Sequence, residues 1–186
     1  MARIVTFKGA PLALTGKPVK VGSRAFDFKL VSQDLKIVKL SDFSGKIKVV
    51  NFFPSLDTPV CDLQVKEFNQ RAAGLSPLVA VIGVSKDLPF AQARFCSANE
   101  IKNEVVLSDY RFSSFGLNYG FLIKELNLLA RGTLIIDQSD CIRYIQVISE
   151  ITHSVNFGEV FDNLKNVLNE PKSVKKLWGA SCSCGK

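Results

Sequence analysis

Apolar and polar residues change their rhythm several times along this chain. The opening "RIVTFKGAPLALTG" carries two short apolar runs around Gly9-Ala10-Pro11, which predicts an N-terminal hairpin. "IKVVNFF", residues 47–53, is the compact run of a buried strand. Over residues 60–75, Cys61, Val65, Phe68, Ala72 and Leu75 recur at steps of three and four, which predicts a helix. "LVAVIGVS" is a second buried strand, after which Asp87 is placed to cap a helix with Pro89 in its first turn, running through "FAQARFCSAN". "EVVLS" is a third strand. "ARGTLIID" and "CIRYIQVI" flank turn residues 138–140 as an antiparallel pair, and a helix over 157–168 follows.

Strands that alternate with helices and end in a hairpin and a helix define an α/β domain with a central mixed sheet. No repeat, low-complexity segment or linker interrupts it before about residue 170. The tail "EPKSVKKLWGASCSCGK" differs in composition, so the division expected is a domain over 1–168 and a basic appendage over 169–186.

With 186 residues and 47% hydrophobic content, one domain can bury a full core without disulfides. No window approaches the roughly 18 consecutive apolar residues of a membrane span. "MARIVTFKGAPLALTGKP" lacks the compact apolar region and cleavage site of a secretory signal, so a cytoplasmic location is expected. There the 5 cysteines would rest reduced, and a disulfide would be transient rather than structural. A net charge of +7 could suggest nucleic acid, but Lys and Arg are scattered apart from "PKSVKKLWG". With no helix-turn-helix, zinc-finger or RNP-like pattern, the charge reads as a solvated basic surface, and no nucleic-acid or membrane partner is expected.

Cysteine chemistry then becomes the leading question. In "FFPSLDTPVCDLQVKEF", Cys61 falls in the first turn of the predicted helix, at the carboxyl end of the predicted strand. Unpaired N–H groups and the helix dipole at that place favour thiolate over thiol. Pro54 and Pro59 stiffen the loop, Thr58 can cap the helix, and a thiolate can itself accept backbone hydrogen bonds. The same residues also suit a small buried hydrophobe at a helix start, and by themselves they leave both readings open.

Pro54, Thr58 and Cys61 reproduce the P-x-x-x-[TS]-x-x-C signature of peroxiredoxins. "FPSLDTPVCDLQVKEFN" together with "VSKDLPFAQARFC" resembles the bacterial thiol peroxidase subfamily, as do the hairpin, "LARGTLIID" and the final helix, over residues 1–168. The resemblance implies a thioredoxin-like fold with Cys61 as the peroxidatic cysteine. Its thiolate would attack the terminal peroxide oxygen, expel water or alcohol and become a sulfenic acid. Thr58 matches the position whose hydroxyl contacts thiolate and peroxide, and Pro54 the residue that shields the pocket. Arg131 matches the arginine that holds the thiolate charged and polarises the O–O bond. Cys96 matches the resolving cysteine, which would form an intramolecular disulfide with Cys61. The resemblance further implies hydrogen peroxide and alkyl hydroperoxides as substrates, thioredoxin as reductant, a homodimer, and no metal or organic cofactor.

Each residue also has a plainer reading: Thr58 as a helix cap, Arg131 as a surface charge at a strand start, Pro54 as a loop stop, and Cys96 as a core thiol beside Phe90 and Ala93. Jointly they fit the signature better than they fit those separate explanations. A thioredoxin-like reductase would need C-x-x-C, but Asp62, Leu63 and Gln64 follow Cys61. Cys141, at a strand start, reads as incidental. Cys182 and Cys184 form a C-S-C pair outside the subfamily pattern, able to exchange electrons with the core or hold a soft metal. With His153 the only histidine, a complete zinc site within the chain is not expected. The alternative is therefore a redox-sensing or metal-carrying binding module built on the tail.

Overall fold

Lys8 and Gly9 both take positive φ, 51° and 81°, as a two-residue turn matching the twist of an antiparallel ribbon requires. In the computed structural model, which describes residues 3–170, they join β1 (Arg3–Phe7) to β2 (Ala10–Thr15), with Phe7 opposite Ala10. The expected hairpin is present, and Ala10 and Pro11 belong to its second strand. The chain continues through β3 (Lys29–Val31), β4 (Ile37–Lys39), a 3-10 turn (Leu40–Phe43), β5 (Ile47–Phe52), α1 (Pro59–Ala72), β6 (Val79–Ser85) and α2 (Pro89–Ala98). It ends with β7 (Val105–Ser108), α3 (Ser114–Tyr119), β8 (Leu122–Ile123), β9 (Leu128–Leu129), β10 (Gly132–Ile136), β11 (Ile142–Val147) and α4 (Phe157–Asn169).

The central sheet has the order β11-β10-β5-β6-β7-β3-β4, with β5-β6 and β6-β7 parallel and the other pairs antiparallel. This is the mixed sheet expected. A smaller sheet, β1-β2-β8-β9, carries the hairpin. All six residues of β5 are buried because the sheet is covered on both faces. Alternation sends Ile47 and Val49 toward Phe68, Val160, Phe161 and Leu164, and Val50 and Phe52 toward the opposite cluster. In that cluster Phe52 stacks on Phe121 at 4.4 Å between ring centroids. Asn51 shares the face of Ile47 and Val49, so a polar side chain points at the layer that contains α1.

Two details differ from the expectations. Helix α1 ends at Ala72 rather than 75, because the chain turns through Ala73 and Gly74 ahead of Pro77. Asp87 does not cap α2: the cap position is Leu88, without a side-chain hydrogen bond, and Asp87 turns back toward the loop before α1. Strands β3, β4, β8 and β9 and helix α3 have no counterpart in the sequence reading. They are two to six residues long, too short to establish a period.

The register between β10 and β5 sets the site. Gly132 lies opposite Phe52 and Thr133 opposite Asn51, so the residue before Gly132, Arg131, arrives beside the carboxyl end of β5. A side chain at Gly132 has no space: a Cβ there would lie 2.1 Å from the Gln146 carbonyl oxygen and 2.5 Å from Phe52 Cζ. Gly132→Ala should therefore force β10 away from β11 and lower stability by at least about 2 kcal/mol. Urea unfolding followed by circular dichroism will measure this.

Candidate active site

Thr58 begins α1 as its N-cap, with φ −109° and ψ 140°, and its Oγ1 accepts from the Cys61 backbone N–H at 3.4 Å. The capping role expected of Thr58 is present. The same hydroxyl lies 2.8 Å from Cys61 Sγ and 3.3 Å from the Ser55 carbonyl. With one proton to give, its shorter contact is to sulfur. Pro59 occupies the first helical turn, where a missing N–H costs nothing. Pro54 is buried in the preceding loop.

Arg131 reaches the sulfur from the other side. Its Nη2 donates to Cys61 Sγ at 3.1 Å, its Nη1 to Gln64 Oε1 at 2.6 Å and its Nε to the Ile151 carbonyl at 2.8 Å. The guanidinium is only 2% exposed, which removes the reading of Arg131 as a surface charge. A buried cation is costly unless it is well partnered, and here an amide, a carbonyl and a thiol sulfur give each of its three nitrogens a partner. The Ile151 carbonyl is held in turn by the hairpin, since Thr6 N–H donates to Ser149 O at 2.6 Å and Ile151 N–H to Thr6 O at 2.9 Å. Cys61 is fully buried, so its sulfur meets these donors away from bulk water.

Cys96 lies on the inward stripe of α2 with Pro89 and Gln92, and packs in the same apolar cluster as Cys61, Phe53, Leu56, Val65 and Val106. Phe90 is 67% exposed, so it is no core neighbour of Cys96. Cys61 and Cys96 are both free thiols. Burial pushes the Cys96 thiol up to about 11; Glu104 adds to the shift and a hydrogen bond with Gln33 opposes it. Cys96 also lines an open surface depression with Gln33, Ser97, Glu100 and Lys102. Cys141 is buried directly before β11, bridged antiparallel to Arg24, its backbone N–H donating to Asp137 Oδ1 at 2.9 Å. Cys182 and Cys184 lie outside the described residues.

The structure adds residues the sequence reading passed over. Asp87 accepts from Ser55 Oγ at 2.7 Å, from the Leu56 N–H at 2.8 Å and from Ser85 Oγ at 2.7 Å, tying the loop before Cys61 to the end of β6. Gln64 lies one turn after Cys61 on the buried face of α1, alongside Val65 and Phe68. Its Nε2 donates to Asn51 Oδ1, and Asn51 Nδ2 donates to Glu104 Oε1 at 3.0 Å. A polar residue three positions after Cys61, on an otherwise apolar stripe, was the available signal. Nothing in the local sequence marks Asn51 or Glu104, because their meeting depends on strand register. Among the described residues, no group of three or more His, Cys, Asp or Glu side chains could hold a metal ion, and no helix is long and apolar enough to cross a membrane.

A signature loop, a helix-start cysteine and a buried arginine on a mixed sheet define a thiol-chemistry protein of the thioredoxin-like class, and comparison with known proteins agrees. Residues 20–168 match the Redoxin family. A thiol peroxidase of Streptococcus pneumoniae is 46% identical over 154 residues, covering 83% of this chain and 94% of the relative. A thiol peroxidase of Bacillus subtilis is 44% identical over 161 residues, covering 87% of this chain and 96% of its own. The crystal structure of a peroxiredoxin-like protein from Aquifex aeolicus superposes with a TM-score of 0.84 at 40% identity, covering 90% of this chain and 98% of that one. A thiol peroxidase from Chromobacterium violaceum, at 20% identity and a TM-score of 0.78, shares the fold over 88% of this chain and 95% of its own. The chain belongs to the Redoxin family, among its thiol peroxidases. Thiol-dependent peroxidase function and the thioredoxin-like fold, both expected from the sequence, are borne out, and membership implies a hydroperoxide substrate and a thiol reductant.

Burial raises the Glu104 carboxyl from its ordinary 4.5 to about 8, and the Asn51 hydrogen bond offsets only part of that. The folded chain therefore keeps this proton over a range where the unfolded chain has lost it, and stability falls as pH rises between these values. Glu104→Gln, which cannot ionise, should remove that contribution. Melting curves at pH 5 and pH 8 should show the variant gaining on the parent at the higher pH.

Proposed function

We propose that Cys61 is the residue that attacks the hydroperoxide and Cys96 the one that resolves the product. The observation that carries this reading is the pair of donors on one buried sulfur, Thr58 Oγ1 at 2.8 Å and Arg131 Nη2 at 3.1 Å, at the start of α1. The thiolate sulfur forms a bond to the terminal peroxide oxygen, the O–O bond breaks, and the leaving oxygen departs as hydroxide or alkoxide and takes a proton to become water or alcohol. Cys61 is left as a sulfenic acid, two electrons more oxidised. The Arg131 guanidinium, with its planar fork, stabilises the thiolate before the step and the charge on the leaving oxygen during it. Thr58 turns its hydroxyl between sulfur and peroxide, while buried Pro54 helps close the pocket against water.

Cys96 then attacks the sulfenic sulfur, losing its proton as water leaves, and a Cys61–Cys96 disulfide forms. Thioredoxin, a dithiol, reduces that bond and is itself oxidised. A cytoplasmic setting, expected from the sequence, and a homodimer, carried over from the family resemblance, complete the reading. No metal or organic cofactor enters any step.

Three variants test the assignments. Cys61→Ser should abolish peroxide turnover with thioredoxin, whereas Cys96→Ser should allow one fast oxidation and no normal recycling. Arg131→Lys should slow the peroxide step by at least about tenfold, because a single ammonium nitrogen cannot reproduce the planar fork that reaches Cys61, Gln64 and the Ile151 carbonyl together. Stopped-flow kinetics will read all three, and peptide mapping after one equivalent of hydrogen peroxide should find Cys61 joined to Cys96. A fully active Cys61→Ser protein would refute the mechanism.

Both cysteines sit in regular helix and are buried, and a disulfide requires Cα atoms closer than about 7 Å. Regular helix fixes the direction of both side chains, so we infer that disulfide formation opens the first turn of α1 and the end of α2. Amide hydrogen exchange should be faster around both residues in the disulfide form than in the reduced form, and equal protection would contradict it.

A further inference from the structure

Glu104 is a buried carboxyl to which the proposed reaction assigns no role, yet it is chained to the reacting sulfur. From Cys61 Sγ the contacts run to Arg131 Nη2 at 3.1 Å, from Arg131 Nη1 to Gln64 Oε1 at 2.6 Å, from Gln64 Nε2 to Asn51 Oδ1, and from Asn51 Nδ2 to Glu104 Oε1 at 3.0 Å. The direction of this relay is dictated from the guanidinium outward. A guanidinium can only donate, so Gln64 must offer it oxygen and turn its amide nitrogen toward Asn51. Asn51 must answer with oxygen and present its own nitrogen to residue 104, which must then accept. Flipping either amide would set N–H against N–H in a buried site of low dielectric.

Two further observations show a built position. A Cβ at Gly83 of β6 would lie 2.6 Å from Glu104 Oε1, so the neighbouring strand makes room for this carboxyl with a glycine. Glu104 Oε2 has no hydrogen-bond partner among the described residues, a cost an apolar side chain at 104 would avoid. Burial keeps the acid protonated near pH 7, so Gln, with the same carbonyl oxygen, can stand in for it.

We propose that Glu104 is a positioning residue for Cys61: as terminal acceptor of the relay, it holds the Asn51 and Gln64 amides in one orientation and so keeps the Arg131 guanidinium on the sulfur. This rests on the reading of Cys61 as the peroxide-attacking residue. A side chain without an acceptor at 104 leaves Asn51 Nδ2 buried and unpaired, so Asn51 shifts to find another partner, Gln64 loses its fixed support, and Arg131 loosens from the thiolate.

The test uses the reduced full-length chain and iodoacetamide at pH 7, with alkylation of Cys61 followed peptide by peptide, beside the rate of its oxidation by hydrogen peroxide. Glu104→Leu and Gly83→Ala should each slow Cys61 alkylation by roughly fivefold to tenfold, the equivalent of one lost hydrogen bond. Glu104→Gln should stay within about twofold of the parent. Gly83→Ala changes no polar group and asks only the flexible end of Glu104 to move, so it decides the matter should Glu104→Leu fail to fold. Parental alkylation in folded Gly83→Ala or Glu104→Leu, or a loss in Glu104→Gln as large as in Glu104→Leu, would overturn the assignment. Cys61 that alkylates in this pattern but does not react with hydrogen peroxide would instead sink the peroxidase reading and leave the role of Glu104 standing.

Discussion

The constraint on which the rest of this molecule depends is the burial of one guanidinium against one sulfur. Arg131 is 2% exposed and donates to Cys61 Sγ, Gln64 and the Ile151 carbonyl. A cation in that position is tolerated only where each of its nitrogens finds a partner, so three separate parts of the chain must arrive together. The first two turns of α1 bring the sulfur and the amide, the start of β10 brings the arginine, and the segment after β11 brings the carbonyl.

Features that look peripheral acquire a purpose from this constraint. The N-terminal hairpin pairs Thr6 with the 149–151 segment and so fixes the carbonyl that receives Arg131 Nε. Asp87, on the far side, gathers Ser55, Leu56 and Ser85 and holds the loop that aims Thr58 and Cys61. Gly132 allows β10 to lie close enough to Phe52 and Gln146 for Arg131 to reach the sulfur. Behind Gln64, the Asn51–Glu104 pair carries the polar network into the sheet, where low dielectric strengthens each contact and raises the cost of each one missed.

Much of this was legible in the chain itself. Long elements with a clear period, such as β5, α1, β6, β10, β11 and α4, were placed within a few residues of their observed ends, because burying an apolar face imposes that period. The cap by Thr58 and the place of Cys61 at a helix start followed from local residue chemistry. Asp87 was misread for the same local reason: an acidic residue just before a helix suits a cap, but the loop before Cys61 offers it better donors. Gln64 was passed over because a polar residue on a buried stripe looks like noise until its partner is known.

By itself, then, the sequence determined the class of chemistry and the elements that bear it: a cysteine at a helix start, a capping threonine three residues before it, and strands and helices in α/β order. Tertiary structure alone decided which distant groups meet that cysteine. Strand register is set by the joint packing of all the neighbouring strands, so no local pattern reports that Gly132 faces Phe52, that Asn51 looks toward Gln64, or that Glu104 lies beside Gly83. Helix periodicity is encoded within a few residues. The meeting of Arg131 with Cys61, 70 positions apart in the chain, is encoded only in the whole.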